Sequence, residues 1–534
     1  MKIITVSETF SVSDQIRIED IAQLAEQGVQ LIICNRPDGE AADQPSVNSI
    51  AEAAAGKNIE LIHMPFVAGG LTDDIAARFR ELMANNLKTH AYCRTGNRSL
   101  QLWHSISSEQ LEKKLSAVQN TGQATQHFDV VVIGAGAGGI AVSASLLKRD
   151  SKLRIALVDP STKHYYQPGW TMVGGGVFKA KSTERETTKL VDKRVSLLQQ
   201  AVTKVKPDIN TVILHDGAQV HYEQLVVAPG LTINWGAIEG LEETLGKNGV
   251  TSNYRYDLAP YTWELVQKTQ RGRAIFTQPP MPIKCAGAPQ KALYLSADHW
   301  LKTKRLDNID IDFCNAGGVL FGVPAYVGAL QSYMDKYGVS PSYNHNLVKV
   351  DGDQRKAWFD VTDAEGNKSQ LCKDFDMLHV CPVQQAPAFI ADSGLADQGG
   401  WLAVDPHSLC HTEYANIWGL GDVMNTTNAK TMAAVRKQVP VVAKNIISVQ
   451  AGQAPSAKYD GYGSCPLTVE RGKIVLAEFC YGGRVAPSFP NWINAGTRPT
   501  RLAWWLKSLA LPFVYWHMML KGREWMTHCP EEKT

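Results

Sequence analysis

Between Phe128 and Arg149 the chain reads FDVVVIGAGAGGIAVSASLLKR, and no other stretch narrows the fold as far. An apolar strand enters a turn at Gly134, Gly136 and Gly139 and leaves it in an alanine- and leucine-rich helix. The next strand, RIALVD, ends at Asp159, 25 positions after Gly134. Each part answers a physical need of a dinucleotide. The glycines allow a tight turn and a backbone bare enough to approach a pyrophosphate, the helix N-terminus favours that anion, and the acid takes ribose hydroxyls. The expectation is an α/β fold opened by a dinucleotide-binding βαβ unit.

At 534 residues the chain exceeds what one hydrophobic core supports, so several modules are expected. A block of strand–helix rhythm at 1–112, with the apolar strands VQLIICN and IELIHMPF, precedes a polar linker at 113–126. A net charge of +2 and the lack of a basic tract argue against nucleic acid as a partner. The opening MKIITVSETF is not a basic start followed by an apolar run, and a cytoplasmic chain is expected. The ten cysteines include no CxxC pair and no Cys/His spacing of a metal site, so most are expected to be reduced core residues and no metal is expected.

Two later strands, YEQLVVAPG (Tyr222 to Gly230) and NIWGLGD (Asn416 to Asp422), close on Pro229-Gly230 and Gly421-Asp422. Strands of this kind returning to a fold opened by GxGxxG resemble those of the two-dinucleotide-domain flavoproteins. That resemblance implies FAD, held by Gly134, Gly136, Gly139, Asp159, Pro229, Gly230, Gly421, Asp422 and Lys430. The FAD domain is expected at 127–270 and 386–480, with a second Rossmann-like domain inserted at 271–385. In flavoproteins of that plan the insertion takes NAD(P)H. Here its first strand, RAIFTQ, runs into PPMPIKCAGAPQK, where prolines and Lys284-Cys285 replace the glycine turn. A pyrophosphate would meet side chains there, so nicotinamide is disfavoured and electrons are expected to enter through a thiol. Lys284 and the start of the following helix would raise the thiolate fraction of Cys285; a buried structural cysteine is the plainer alternative.

PIKCAGAPQK, YYQPGWTMVGGG (Tyr165 to Gly176), FGVPAYVGAL (Phe321 to Leu330), GLGD with AKTMAAV, KYDGYGSCPL (Lys458 to Leu467) and LPFVYWHMML (Leu511 to Leu520) run in collinear order. Over roughly 127–528 they resemble the mitochondrial-type sulfide:quinone oxidoreductases. The resemblance implies oxidation of sulfide to a persulfide-level sulfur, electrons passed to a membrane quinone, and Cys285 as one of two redox cysteines. The second departs from the pattern: the family carries it directly after Gly-Asp, where this chain has Val423. Cys381, in LHVCPVQQAP, is the nearest substitute, ahead of Cys314, with a plain core role as the alternative; Cys285 acting alone, or on another sulfur compound, stays open. The expected cycle is sulfide attack on an oxidised sulfur at Cys285, a persulfide there, and removal of the sulfane sulfur by a small thiol or sulfite. The rivals are a persulfide carrier or sensor without turnover, and an NADH:quinone reductase-like flavoprotein with a phosphatase fused to it.

The segment 481–534 gathers tryptophans, aliphatics and flanking Arg498, Arg501, Lys507, Lys521 and Arg523 around an uncharged run, Ser508 to Leu520, too short to span a bilayer. A peripheral anchor on the inner face of a membrane is expected, against a core helix as the alternative. Tyr166 and Trp170 are candidates for the quinone pocket.

In the first block, HAYCRTGNRS places Arg98 five positions after Cys93, with four residues between. The loop resembles that of rhodanese sulfurtransferases, and the block with NRPDGE resembles a phosphatase-like family. An anion nest around a thiolate suits sulfur transfer; the alternatives are phosphatase chemistry using Asp73 or Asp74, residues that could as easily cap the following helix, and a catalytically silent fold. The expected fold is thus an N-terminal phosphatase-like αβα domain followed by a tandem Rossmann flavoprotein with a C-terminal membrane-association segment. The oligomeric state is open, a homo-oligomer included.

Overall fold

The computed structural model describes residues 3–6, 9–41, 44–66, 71–85, 87–94, 96, 98–99, 102–103, 126–490 and 492–527. The linker expected at 113–126 lies outside the described residues up to 125, as does Cys529. The chain forms two compact units, Met1–Ala124 and Thr125–Thr534.

In the first unit, strands β1 (Ile3–Thr5), β2 (Phe10–Ser13), β3 (Leu31–Cys34), β4 (Glu60–His63) and β5 (Thr89–Tyr92) form one sheet in the order β1-β2-β5-β3-β4. All pairs are parallel except β1 with β2. The side-chain period of two sends Leu31 and Ile33 to a core with Phe79, and Ile32 and Cys34 to another with Ile21, Leu24 and Ile50. Helix Asp73–Ala84 therefore covers one face, and helices Asp20–Glu26 and Val47–Ala55 the other. β3 is continuously apolar because it is buried on both faces.

The second unit is built on a seven-stranded sheet with Gln126–Ile133 flanked by Ile155–Val158 and Gln219–Val227, and Ile417–Gly419 beside the latter. The register of these strands sets where their loops emerge. Ile133 pairs with Val158 and Val227, and Val227 with Gly419, so four strands end on one line. The glycine turn, Asp159, Pro229-Gly230 and Gly421-Asp422 leave the sheet together at its carboxyl edge, where ligands of open α/β sheets bind. A second parallel sheet orders Val250–Thr251, Met377–His379, Gly272–Gln278, Ile309–Asn315 and Pro341–Tyr343. The hairpin Gly463–Glu470/Lys473–Phe479 falls within the segment expected to complete the FAD domain. It lays Cys465, Leu467, Val469, Val475 and Ala477 instead into the second module's core, against helix Ala288–Lys302. The chain closes with helices Arg501–Trp505 and Leu511–His517, joined by a wide turn at Leu506–Ala510. Among the described residues no helix is long and apolar enough to cross a membrane.

Candidate functional site

The glycine turn cannot tolerate a side chain. Gly134 sits at φ +97°, and a Cβ there would fall 2.4 Å from the Ala228 carbonyl oxygen. A Cβ on Gly139 would fall 1.8 Å from the oxygen of Gly134, because the helix packs directly on the strand end. Gly136 caps that helix from an extended conformation with open space beside it, so its side of the turn faces a cavity rather than protein. Asp159 braces the turn: its Oδ2 accepts the Ala135 N–H at 2.6 Å and its Oδ1 the Ser161 N–H at 2.7 Å.

Gly136, Asp159, Pro229, Gly230, Gly421, Asp422 and Lys430 border one cavity of about 520 Å³. Lys430 donates to the carbonyls of Asp422 (2.8 Å) and Met424 (2.6 Å) and lies 4.1 Å from the Trp401 ring centre; burial pulls its pKa down to about 8. The cavity wall also holds buried polar atoms with no partner among the described residues: Asn253 Oδ1 and Nδ2, Trp170 Nε1 and Thr171 Oγ1. A bare glycine cradle, a braced acid and unpaired donors and acceptors along one wall fit a large polar cofactor such as FAD.

Cys285 stands on the wall of the same cavity. Strand Gly272–Gln278 ends behind it and helix Ala288–Lys302 starts three residues beyond it. Its φ is +52°, and its N–H is tied to the Lys430 carbonyl at 3.0 Å, so the loop is anchored to the FAD-side segment. The cation on its sulfur is Lys291, one turn into the helix, with Nζ 3.0 Å from Sγ. Lys284, the sequence candidate for that task, turns the other way: its ammonium donates to Gln167 Oε1 and lies 3.6 Å from Asp422 Oδ2. The left-handed turn at Cys285 separates its side chain from that of Lys284, whereas Lys291 returns from the first turn of the helix to the sulfur.

The sulfur nearest in chemistry to Cys285 belongs to Cys465. A hydrogen bond from the Cys465 thiol, followed by the ammonium groups of Lys291 and Lys507, holds the Cys285 thiol well below the ordinary cysteine range although burial opposes it. The same bond and burial push Cys465 well up. Lys507 reaches this corner from the C-terminal segment, donating to the Pro466 carbonyl (3.1 Å) and Thr468 Oγ1 (3.0 Å); burial drives its pKa down. Cys381 does not share that corner's hydrogen bonds. It is buried with Gln384 Nε2 3.8 Å from its sulfur and bonds with Tyr254, whose hydroxyl donates to the Lys284 carbonyl at 2.8 Å. Burial raises its pKa beyond the usual range, so it is a poor thiolate. Cys314 is fully buried in strand Ile309–Asn315, pushed up to about 12 by burial, and Val423 is fully buried in the core around the FAD sheet.

The far end of the cavity is lined by Leu506, Lys507, Leu511, Val514, Tyr515 and Met519 of the C-terminal segment. Tyr166 and Trp170 border it, and Tyr166 packs on Tyr515 with ring centres 4.8 Å apart. Tyr515 in turn bonds to His164 Nε2 at 2.5 Å, and His164 Nδ1 to the Ala135 carbonyl at 2.9 Å, linking the aromatic end to the glycine turn. On the outer face Leu502, Trp505, Leu509 and Phe513 recur at helical spacing and are 44%, 62%, 69% and 59% exposed.

In the first unit Cys93 is buried at the end of β5 and accepts the Gly96 N–H at 3.1 Å. Arg98 bonds to Cys93, to both carboxylate oxygens of Glu40 (2.9 and 2.8 Å) and to the Phe66 carbonyl (2.8 Å). Glu40, from NRPDGE, is also held by Arg36 at 2.8 Å. Asp74 is exposed in the first turn of its helix, which Thr72 caps; the Asp73 side chain lies outside the described residues.

Two parallel-sheet modules opening on one cavity, a glycine cradle with its acid, and a cysteine on the shared wall define a two-dinucleotide-domain flavoprotein. In agreement, residues 128–262 match the pyridine nucleotide-disulphide oxidoreductase family. The chain is 39% identical over 421 residues to the mitochondrial sulfide:quinone oxidoreductase of Dictyostelium discoideum, covering 78% of this chain and 89% of that one. It is 37% identical to the mouse protein of the same name, covering 75% and 88%. The chain belongs to the sulfide:quinone oxidoreductase family. Its fold matches the X-ray structure of the sulfide:quinone oxidoreductase from Aquifex aeolicus with a TM-score of 0.61 at 19% identity, covering 75% of this chain and 92% of that one. Residues 2–110 match the phosphatase-like domain of beta-lactamase hydrolase-like proteins.

Proposed function

We propose that this chain oxidises sulfide at Cys285 and delivers the electrons to a membrane quinone, while its N-terminal unit accepts the sulfane sulfur. The observation that carries the reading is the placement of Cys285 on the wall of the cavity that the glycine cradle and the C-terminal segment also border. FAD, when bound, supplies the acceptor through which an electron pair passes from sulfur to quinone. Gly134, Gly136, Gly139, Asp159, Pro229, Gly230, Gly421, Asp422 and Lys430 are the residues assigned to hold it. The hydrogen bond from Cys465, and after it Lys291, favour the thiolate of reduced Cys285. The His164–Tyr515 bond orients the phenol at the quinone end, and Leu506, Leu511, Val514 and Met519 provide an apolar wall for a quinone ring.

Quinone dissolved in lipid requires a path from the bilayer, and the exposed Leu502, Trp505, Leu509 and Phe513 give the C-terminal helices an outer apolar face beside the cavity wall. Peripheral association with the inner face of a membrane, with the bulk of the chain on the cytoplasmic side, belongs to this reading. In the first unit, the amide and guanidinium directed at Cys93 support an anionic sulfur. A small thiol or sulfite completes the sulfur's exit.

Anaerobic addition of sulfide to the FAD-loaded protein tests the core of the reading: bleaching of the flavin band, reversed by a short-chain quinone, is expected. A band that stays yellow with sulfide but bleaches with NADH overturns it. For the first unit, thiocyanate formation from thiosulfate and cyanide should disappear in Cys93→Ser; hydrolysis of an aryl phosphate in its place would assign phosphatase chemistry.

A further inference from the structure

The redox pair needs a second sulfur: the family's position holds Val423, and Cys381, though near enough for Cys285 to act on its charge, is committed to other partners. Val423 is packed inside the FAD-sheet core, and Cys381 is engaged by Tyr254 and Gln384. We infer that Cys465 is the second redox cysteine, and that Cys285 and Cys465 form the disulfide that sulfide opens; this rests on the sulfide-oxidising reading above. Strand Gly463–Glu470 alternates, so Ser464 and Pro466 border the cavity while Cys465 and Leu467 turn inward to the core under helix Ala288–Lys302. The loop carrying Cys285 is pressed against that strand: a Cβ on Gly287 would lie 2.1 Å from Leu467 Cδ2. Cys285 packs on the same core, and the Cys465 thiol bonds to its sulfur. Lys291 acts on both sulfurs, and Lys507, which feels both of them, is bonded to the two residues on either side of Leu467. A structural cysteine in an apolar core does not call for two buried lysines; a site that passes through a sulfur anion does.

The placement also assigns roles to the two sulfurs. Hydrosulfide arriving in the cavity meets Cys285 first. It forms a bond to Cys285 Sγ as the Cys285–Cys465 bond breaks; its proton passes to Cys465, whose raised pKa favours the thiol, and the persulfide anion remains on Cys285 beside Lys291. An acceptor thiol RSH then takes the outer sulfur as RSS⁻ and leaves its proton on Cys285. Reoxidation of the two thiols releases two protons and two electrons, and the electrons reduce the quinone.

Non-reducing peptide mapping of the full-length FAD-loaded protein, oxidised with a short-chain quinone, tests the pairing without any substitution. A Cys285–Cys465 cross-linked peptide is expected, converted by sulfide into a Cys285 persulfide that alkylation traps. A Cys285–Cys381 cross-link, or no cross-link in protein that turns over sulfide, overturns the inference. In parallel, Cys465→Ser with its FAD retained should reduce the flavin with sulfide more slowly by about two orders of magnitude or more, while Cys372→Ser, on an exposed strand, should match the parent. Parental reduction rates in Cys465→Ser overturn the inference while leaving sulfide oxidation intact. If the cross-link forms but sulfide never reduces the flavin, the pairing stands and the sulfide reading fails.

Discussion

Replacing Lys291 with methionine keeps the length and apolar stem of the side chain and removes only the ammonium 3.0 Å from Cys285 Sγ. The lysine is buried, so water cannot substitute for the lost donor. A hydrogen bond to a charged group contributes roughly 1.5–3 kcal/mol. At about 1.4 kcal/mol per pH unit, that energy corresponds to a shift of about one to two units in the proton affinity of the thiol. The shift is upward: the neighbouring cation favours the thiolate, and without it the proton is held to higher pH. Lys507 remains and keeps the shift from growing further. Because Cys285 and Cys465 share a hydrogen bond, the relevant quantity is the first proton lost by the pair. The assay is the pH dependence of Cys285 alkylation by iodoacetamide in the reduced, FAD-loaded protein, followed by peptide mass spectrometry. In the parent the rate should hold as pH falls below the ordinary cysteine range; in Lys291→Met it should drop about one to two pH units earlier. Superimposed profiles would mean that Lys291 does not set the charge of Cys285 and that this corner is not built to hold a thiolate.

Gly139→Ala should abolish FAD retention, because its Cβ would lie 1.8 Å from the Gly134 oxygen and the turn must open to admit it; flavin absorbance per protein after purification measures the loss. The double variant Trp505→Glu/Phe513→Glu should no longer float with anionic liposomes while still reducing a short-chain quinone, since both side chains are exposed and neither borders the cavity. In the first unit, the hydrogen bonds from Arg98 lead the lowering of the Glu40 carboxyl pKa. A depressed carboxylate stabilises above its unfolded value of about 4.3, and that contribution is lost as pH falls through the lower folded value. The unfolding temperature of this unit should therefore decline on acidification below about pH 4.3 in the parent and less steeply in Glu40→Gln.

What could be read from the sequence was whatever is encoded locally. The turn from Ile133 to Gly139 and its acid at Asp159 are legible because each glycine answers a clash or a torsion within a few residues, and the structure puts both where the pattern implies. The convergence of Pro229-Gly230 and Gly421-Asp422 on that turn was legible at one remove, since a parallel sheet with strands in register must deliver its loops to one edge. The sulfur chemistry was not local. Lys284 adjoins Cys285 in the chain, but the left-handed turn at Cys285 sends the two side chains apart, and the residue that reaches the sulfur comes from a helix turn six positions later. Cys465 is farther still. It is brought to Cys285 because the hairpin packs on the second module's helix, a tertiary fact with no periodic signature. The traces it leaves are the strand's alternation, in which Ser464 and Pro466 face the cavity and Cys465 the core, and the glycine at 287 that lets the two segments touch. A cysteine opposite a glycine-bearing loop, with buried lysines arriving from two other segments, is a pattern of chemistry across space. On the Cys285–Cys465 assignment, valine at 423 leaves the second sulfur in place, because that sulfur comes from the strand that meets the loop rather than from the residue after the Gly-Asp.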